Sequence, residues 1–94
     1  MNHDRQPSHD AEINGINRVS GQLDGIKKMI VENRICVDIL TQLKAARHAL
    51  KTIEVNILEK HMSYCLCNAA KSGNIQEIGA KIEEIKSLIK KFRE

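Results

Sequence analysis

Large aromatic side chains are almost missing from this sequence, which has one Tyr, one Phe and no Trp in 94 residues. The rings that usually fill a small core are therefore unavailable, and Ile, Leu, Val, Ala and Met must do the packing. The single proline, Pro7, lies in a polar N-terminal stretch. No run approaches the roughly 18 apolar residues of a membrane span. The polar start (Asn2, His3, Asp4, Arg5, Gln6) carries no apolar signal region, so the chain is expected in the cytoplasm and away from membranes. Cysteine is limited to Cys36, Cys65 and Cys67. In a reducing compartment such thiols point to ligands or reactive groups rather than a disulfide framework. No phosphate-binding loop and no nucleophile–base–acid constellation is present, which argues against an enzyme. Neither sign of charge dominates; the formal charge is +3, modest for one chain but multiplied in an oligomer. A chain of this length makes one domain near the lower limit of what a single core supports, and suits sharing that core with another copy.

What the sequence does have is helical spacing. Ile13, Ile16, Val19, Leu23, Ile26 and Ile30 recur in steps of three and four and mark one apolar stripe. Gly21 and Gly25 share a face of that helix and would let another helix come close. Ile39, Leu43, Ala46, Leu50, Ile53 and Ile57 form a second stripe, and no Gly or Pro interrupts it before Ser72-Gly73-Asn74, a good helix stop. Ile75, Ile78, Ile82, Ile85, Ile89 and Phe92 form a heptad seam that ends on Lys90, Lys91 and Arg93, cations suited to a helix C-terminus. No strand alternation or internal repeat is visible. The expected fold is all-α, with a flexible arm over 1–10 and three helices over about 11–31, 35–71 and 75–93.

His61 and Cys65 are four residues apart, one turn from each other on the same helical face. Two such side chains can hold one metal ion if a third donor comes from elsewhere. Cys36 is the obvious third, but it precedes His61 by 25 residues. On a continuous helix that is about 38 Å, so one chain cannot close the site. An antiparallel second copy can, and two-fold symmetry then makes two equivalent sites in a four-helix dimer. Two thiolates and one imidazole form a soft set that suits Cu(I); zinc would need a fourth ligand, such as His3 or water. Cys67 lies about 200° round the helix from Cys65 and is left out of the set. Spacing alone balances this reading evenly against a blander one, in which the cysteines are small buried hydrophobes and His61 a surface residue.

The sequence resembles the copper-sensitive operon repressor (CsoR) family of bacterial all-helical transcriptional repressors over roughly residues 12–92. The matching stretches are Arg18-Val19-Ser20-Gly21-Gln22-Leu23-Asp24-Gly25-Ile26, then Cys36-Val37-Asp38-Ile39-Leu40-Thr41-Gln42-Leu43, then His61 with Cys65. The resemblance implies a sensory site of Cys36, His61 and Cys65 between antiparallel protomers. It also implies dimers paired into a homotetramer and metal binding that releases operator DNA. Within the family, Cys, His and Cys mark Cu(I) sensors. Nickel or cobalt sensors usually carry His at the last position, formaldehyde sensors lack that thiol, and persulfide sensors lack the histidine. Two supporting positions depart from the copper-sensor pattern. A Tyr before the first Cys is here Ile35, and a Glu in the third helix is, counting without a gap, Lys81. Glu77, Glu83 or Glu84 are the nearby carboxylates. Asn14 is followed by Gly15 where the family often has Arg.

No helix-turn-helix, zinc-finger or RNP pattern is visible. A DNA role must therefore rest on charged helical faces. Lys44, Arg47, His48 and Lys51 make a basic stripe, which Arg18, Lys27 and Lys28 extend; the candidate contacts with double-stranded operator DNA are Arg18, Lys28, Lys44, Arg47 and Lys51. The expected function is a Cu(I)-responsive DNA-binding repressor. Its alternatives are a persulfide- or thiol-responsive repressor acting through Cys36 and Cys65, a nickel-, cobalt- or zinc-responsive one, and, outside this class, a copper buffer.

Overall fold

The computed structural model describes residues 6–93, and His3, with the first half of the expected arm, lies outside them. The described residues form three α-helices and no strand: α1 (Ile13–Val31), α2 (Cys36–Ser72) and α3 (Ile75–Lys91). Where the sequence reading began an α-helix at residue 11, Asp10–Glu12 instead forms a 3₁₀ turn that runs into α1. The amide of Glu12 donates to the carbonyl of His9 at 2.9 Å, the tighter spacing common at helix starts. At the other end, α3 stops at Lys91, two residues before the expected limit.

The helix junctions are written into local chemistry. Asn33 adopts a left-handed φ of 57°, a conformation asparagine tolerates better than most residues. Around it the Arg34 amide donates to Met29 at 3.0 Å and the Asn33 amide to Ile30 at 3.1 Å, the bond pattern of a Schellman stop. Ile35 then gives its carbonyl to Asp38 and Ile39, which starts α2 at Cys36. At the far junction Gly73 takes φ 68°, and the Asn74 side chain accepts from the amides of Gln76 at 2.9 Å and Glu77 at 3.3 Å. α3 is thus capped by the asparagine that follows the glycine.

The chain divides into two compact units, one spanning His9–Glu54 and the other built on Val55–Glu94. In the first, Val19 and Ile26 of α1 and Ala46 and Ile53 of α2 are buried. Gly15 marks their closest approach, since a Cβ there would meet Ile53 at 3.1 Å. Gly21 and Gly25, the glycines that suggested close packing, face open space within the chain. In the second unit Ala69 is buried, while the α3 seam residues Ile75, Ile82, Ile89 and Phe92 stay exposed. Each apolar stripe is therefore only partly covered by the chain itself. Leu40, Leu43 and Leu50 of α2 are 62%, 42% and 44% exposed and line one groove with Leu23 of α1.

Candidate metal centre and basic face

Within the second unit, helical periodicity stacks His61 above Cys65. Nε2 of His61 lies 3.5 Å from Sγ of Cys65, and both residues are half-buried. Two donors each about 2.0–2.3 Å from a shared ion reach that separation at a bond angle of roughly 110°. The pair is therefore spaced as two ligands of one trigonal or tetrahedral ion. Cys67 is exposed.

Beside Cys65 opens a cleft of about 510 Å³, lined by Tyr64, Asn68 and Ala69 of α2 and by Glu77 and Lys81 of α3. Lys81, the residue at the expected glutamate position, does reach the surroundings of the thiol. Its ammonium is held by Glu84 at 3.2 Å, a half-exposed pair whose strength water limits. Tyr64 and Asn68 were not singled out by the sequence, although Asn68 stands three residues after Cys65, the spacing of helical neighbours. Glu77 is fixed at its backbone by the Asn74 cap.

Cys36 occupies the first turn of α2, in the other unit, and is exposed. Arg34 and Asp38 form a loose ion pair at 3.8 Å around that turn. Among the described residues, no group of three or more His, Cys, Asp or Glu side chains is placed to hold a metal ion. The chain on its own thus presents a two-donor pair and a separate exposed thiol.

The basic candidates all fall in the first unit. Arg18, Lys28, Lys44 and Arg47 are exposed and Lys51 is half-buried. Lys27 is tied to Asp24 at 4.0 Å. Lys44 and Arg47 also border an apolar groove of about 550 Å³ formed by Leu23, Leu40, Leu43, Ala46 and Leu50. The basic stripe and the uncovered leucines are adjoining faces of one helix.

Comparison with known proteins identifies the family. Residues 8–91 match the family model described as metal-sensitive transcriptional repressor. The copper-sensing transcriptional repressor CsoR of Bacillus subtilis is 36% identical over 92 residues, covering 98% of this chain and 88% of that protein. The copper-sensing transcriptional repressor RicR of Mycobacterium tuberculosis is 41% identical over 58 residues, 62% of this chain and 60% of its own. Two solved structures share the fold. The nickel-responsive transcriptional regulator InrS superposes with a TM-score of 0.78 at 36% identity, covering 93% of this chain and 94% of its own. The copper-sensing repressor CsoR with Cu(I) from Geobacillus thermodenitrificans superposes with a TM-score of 0.73 at 32% identity, covering 94% and 93%. The chain belongs to the metal-sensitive transcriptional repressor family.

Proposed function

We propose that the protein is a Cu(I)-responsive repressor that binds double-stranded operator DNA as an oligomer and leaves it when Cu(I) binds between subunits. Cys36 of one protomer and His61 with Cys65 of its partner hold the ion. The observation that carries this reading is the half-buried His61–Cys65 pair, spaced at 3.5 Å for one ion yet lacking a third donor among the described residues of its own chain. α2 is unbroken from Cys36 to Ser72, and its rise sets Cys36 about 38 Å from His61 along the helix. A second, antiparallel chain brings Cys36 to the pair as the third donor. Uncovered leucines on the same helix supply the surface for that pairing. Cu(I) would contribute a soft, low-coordinate centre that two thiolates and an imidazole satisfy without further ligands.

The Bacillus and Geobacillus relatives, both named copper-sensing, support this choice of metal. The likeness to the nickel-responsive regulator favours a second reading, in which the same pair serves a divalent ion. Nickel prefers more nitrogen and oxygen donors than Cys36, His61 and Cys65 offer. Exposed Arg18, Lys28 and Lys44, with Lys51, provide phosphate contacts repeated around an oligomer, a geometry that reads groove shape more than base edges. Coupling is reciprocal: Cu(I) binds the DNA-free form more tightly, and DNA weakens Cu(I) binding by the same factor.

Anaerobic Cu(I) titration of the protein on its own promoter fragment, followed by fluorescence anisotropy, tests the reading. Wild type is expected to leave DNA as Cu(I) approaches one per chain. His61→Ala is expected to lose more affinity than the roughly 10–100-fold typical of a residue that merely supports a ligand. Normal Cu(I) response by His61→Ala, or release by Ni(II) alone, contradicts the Cu(I) assignment.

A further inference from the structure

Among the charges of α2 that have no ion-pair partner among the described residues, Arg47 and Glu54 stand out by their position. Arg47 and Glu54 are both exposed, and among the described residues neither side chain has an ion-pair partner. By contrast Asp24, Asp38, Glu83 and Glu84 each meet a cation three or four residues away. Arg47 and Glu54 are about 10 Å apart along the axis, two turns, beyond the spacing at which helical neighbours pair.

They also lie on the face that carries the proposed ligands. At 100° per residue from Cys36, the positions of Leu43, Arg47, Glu54, His61 and Cys65 fall within about 20° of one line along α2. That line is symmetric. Cys36 and Cys65, Leu43 and Leu58, and Arg47 and Glu54 are each equidistant from the point midway between Leu50 and Lys51.

We propose that Arg47 of each protomer pairs with Glu54 of the partner subunit, and that these two ion pairs set the direction and register of the α2 dimer. The dimer axis passes midway between Leu50 and Lys51, and the register brings Cys36 opposite Cys65 of the partner subunit. A second copy of α2 is then what fills the groove of Leu23, Leu40, Leu43 and Leu50, on whose edge Arg47 already stands. The proposal rests on the inter-subunit reading of Cys36, His61 and Cys65.

The alternatives are penalised by the same two residues. A parallel pairing sets Arg47 against Arg47 and Glu54 against Glu54. An antiparallel slip of one heptad sets Arg47 against Arg47 in one direction and Glu54 against Glu54 in the other. Opposed like charges are costly at an interface, whereas the proposed register makes two attractive contacts beside a leucine seam. Charges flanking such a seam commonly choose partner orientation in paired helices. Arg47 thereby leaves the set of phosphate contacts, which keeps Arg18, Lys28, Lys44 and Lys51.

Metal-free full-length chains carrying Arg47→Glu or Glu54→Arg test this by sedimentation equilibrium and native mass spectrometry. Each variant alone replaces both attractive contacts with repulsive ones, and its dimer Kd is expected to rise about tenfold or more. Mixed together, the two variants complement at both contacts, so heterodimers should exceed the statistical half. That recovery also shows that the variants fold. A wild-type dimer whose variants dimerise normally and mix statistically overturns the ion pair while leaving the inter-subunit metal site standing. A wild-type chain that stays monomeric overturns both.

Discussion

In the proposed soft-metal centre, the Cys65 sulfur and the His61 ring nitrogen, 3.5 Å apart on adjacent turns, are two donors, and the thiol of Cys36 at the start of the same helix is the third. Cys67 is the control at this scale. It is exposed and sits about 200° round α2 from Cys65, so Cys67→Ser should leave Cu(I) stoichiometry and affinity unchanged in an anaerobic competition titration. A lost equivalent would place Cys67 in the ligand set. Helical periodicity made the His61–Cys65 juxtaposition legible, because a four-residue step fixes which side chains stack whatever surrounds the helix. The cleft beside Cys65 was less legible. Tyr64 and Asn68 share their helix with the thiol, but Glu77 and Lys81 reach it only through the way α3 packs on this part of α2. Lys81 was identified as the departure from the family pattern, and its tie to Glu84 is what the structure adds.

At the scale of elements, α2 matters for its continuity and for the stops at its ends. Ser72-Gly73-Asn74 was readable as a stop because glycine's positive φ and asparagine's capping oxygen are local properties. Asn74→Ala removes the acceptor for two amides and should lower stability by about 1 kcal/mol in urea denaturation followed by circular dichroism. No change in the midpoint would mean that the cap contributes nothing beyond solvent. The 3₁₀ entry at Asp10–Glu12 escaped the periodicity because one tight turn is too short to show a period. Gly15 rather than Gly21 or Gly25 proved to be the close contact within the chain, since which glycine meets a neighbour depends on helix crossing and not on spacing.

For the whole molecule, the small core and the exposed leucines argue that the functional unit has more than one chain. If the proposed assembly presents repeated cationic faces to DNA, its affinity falls steeply with salt. Lys44→Ala should weaken binding uniformly across DNA sequences and lower the slope of log K against log salt by about one per contact removed, measured by anisotropy from low to physiological salt. An unchanged slope would remove Lys44 from the DNA face. The all-α class and the membership of a repressor family were legible because three amphipathic stripes and a few spaced motifs carry them. The proposed dimer has only an indirect sign in the sequence, a candidate ligand set too long for one chain.

The claim that the metal site is shared between chains has a direct test. Cys36→Ser and Cys65→Ser chains are each titrated with Cu(I) anaerobically, then unfolded, mixed in equal amounts and refolded. Alone, neither has a complete site. Together, each heterodimer regains one site from the intact Cys36 of one chain and the His61 and Cys65 of the other. Statistical mixing then restores tight binding to about a quarter of the wild-type stoichiometry. A mixture that binds no more Cu(I) than the separate variants contradicts the shared site.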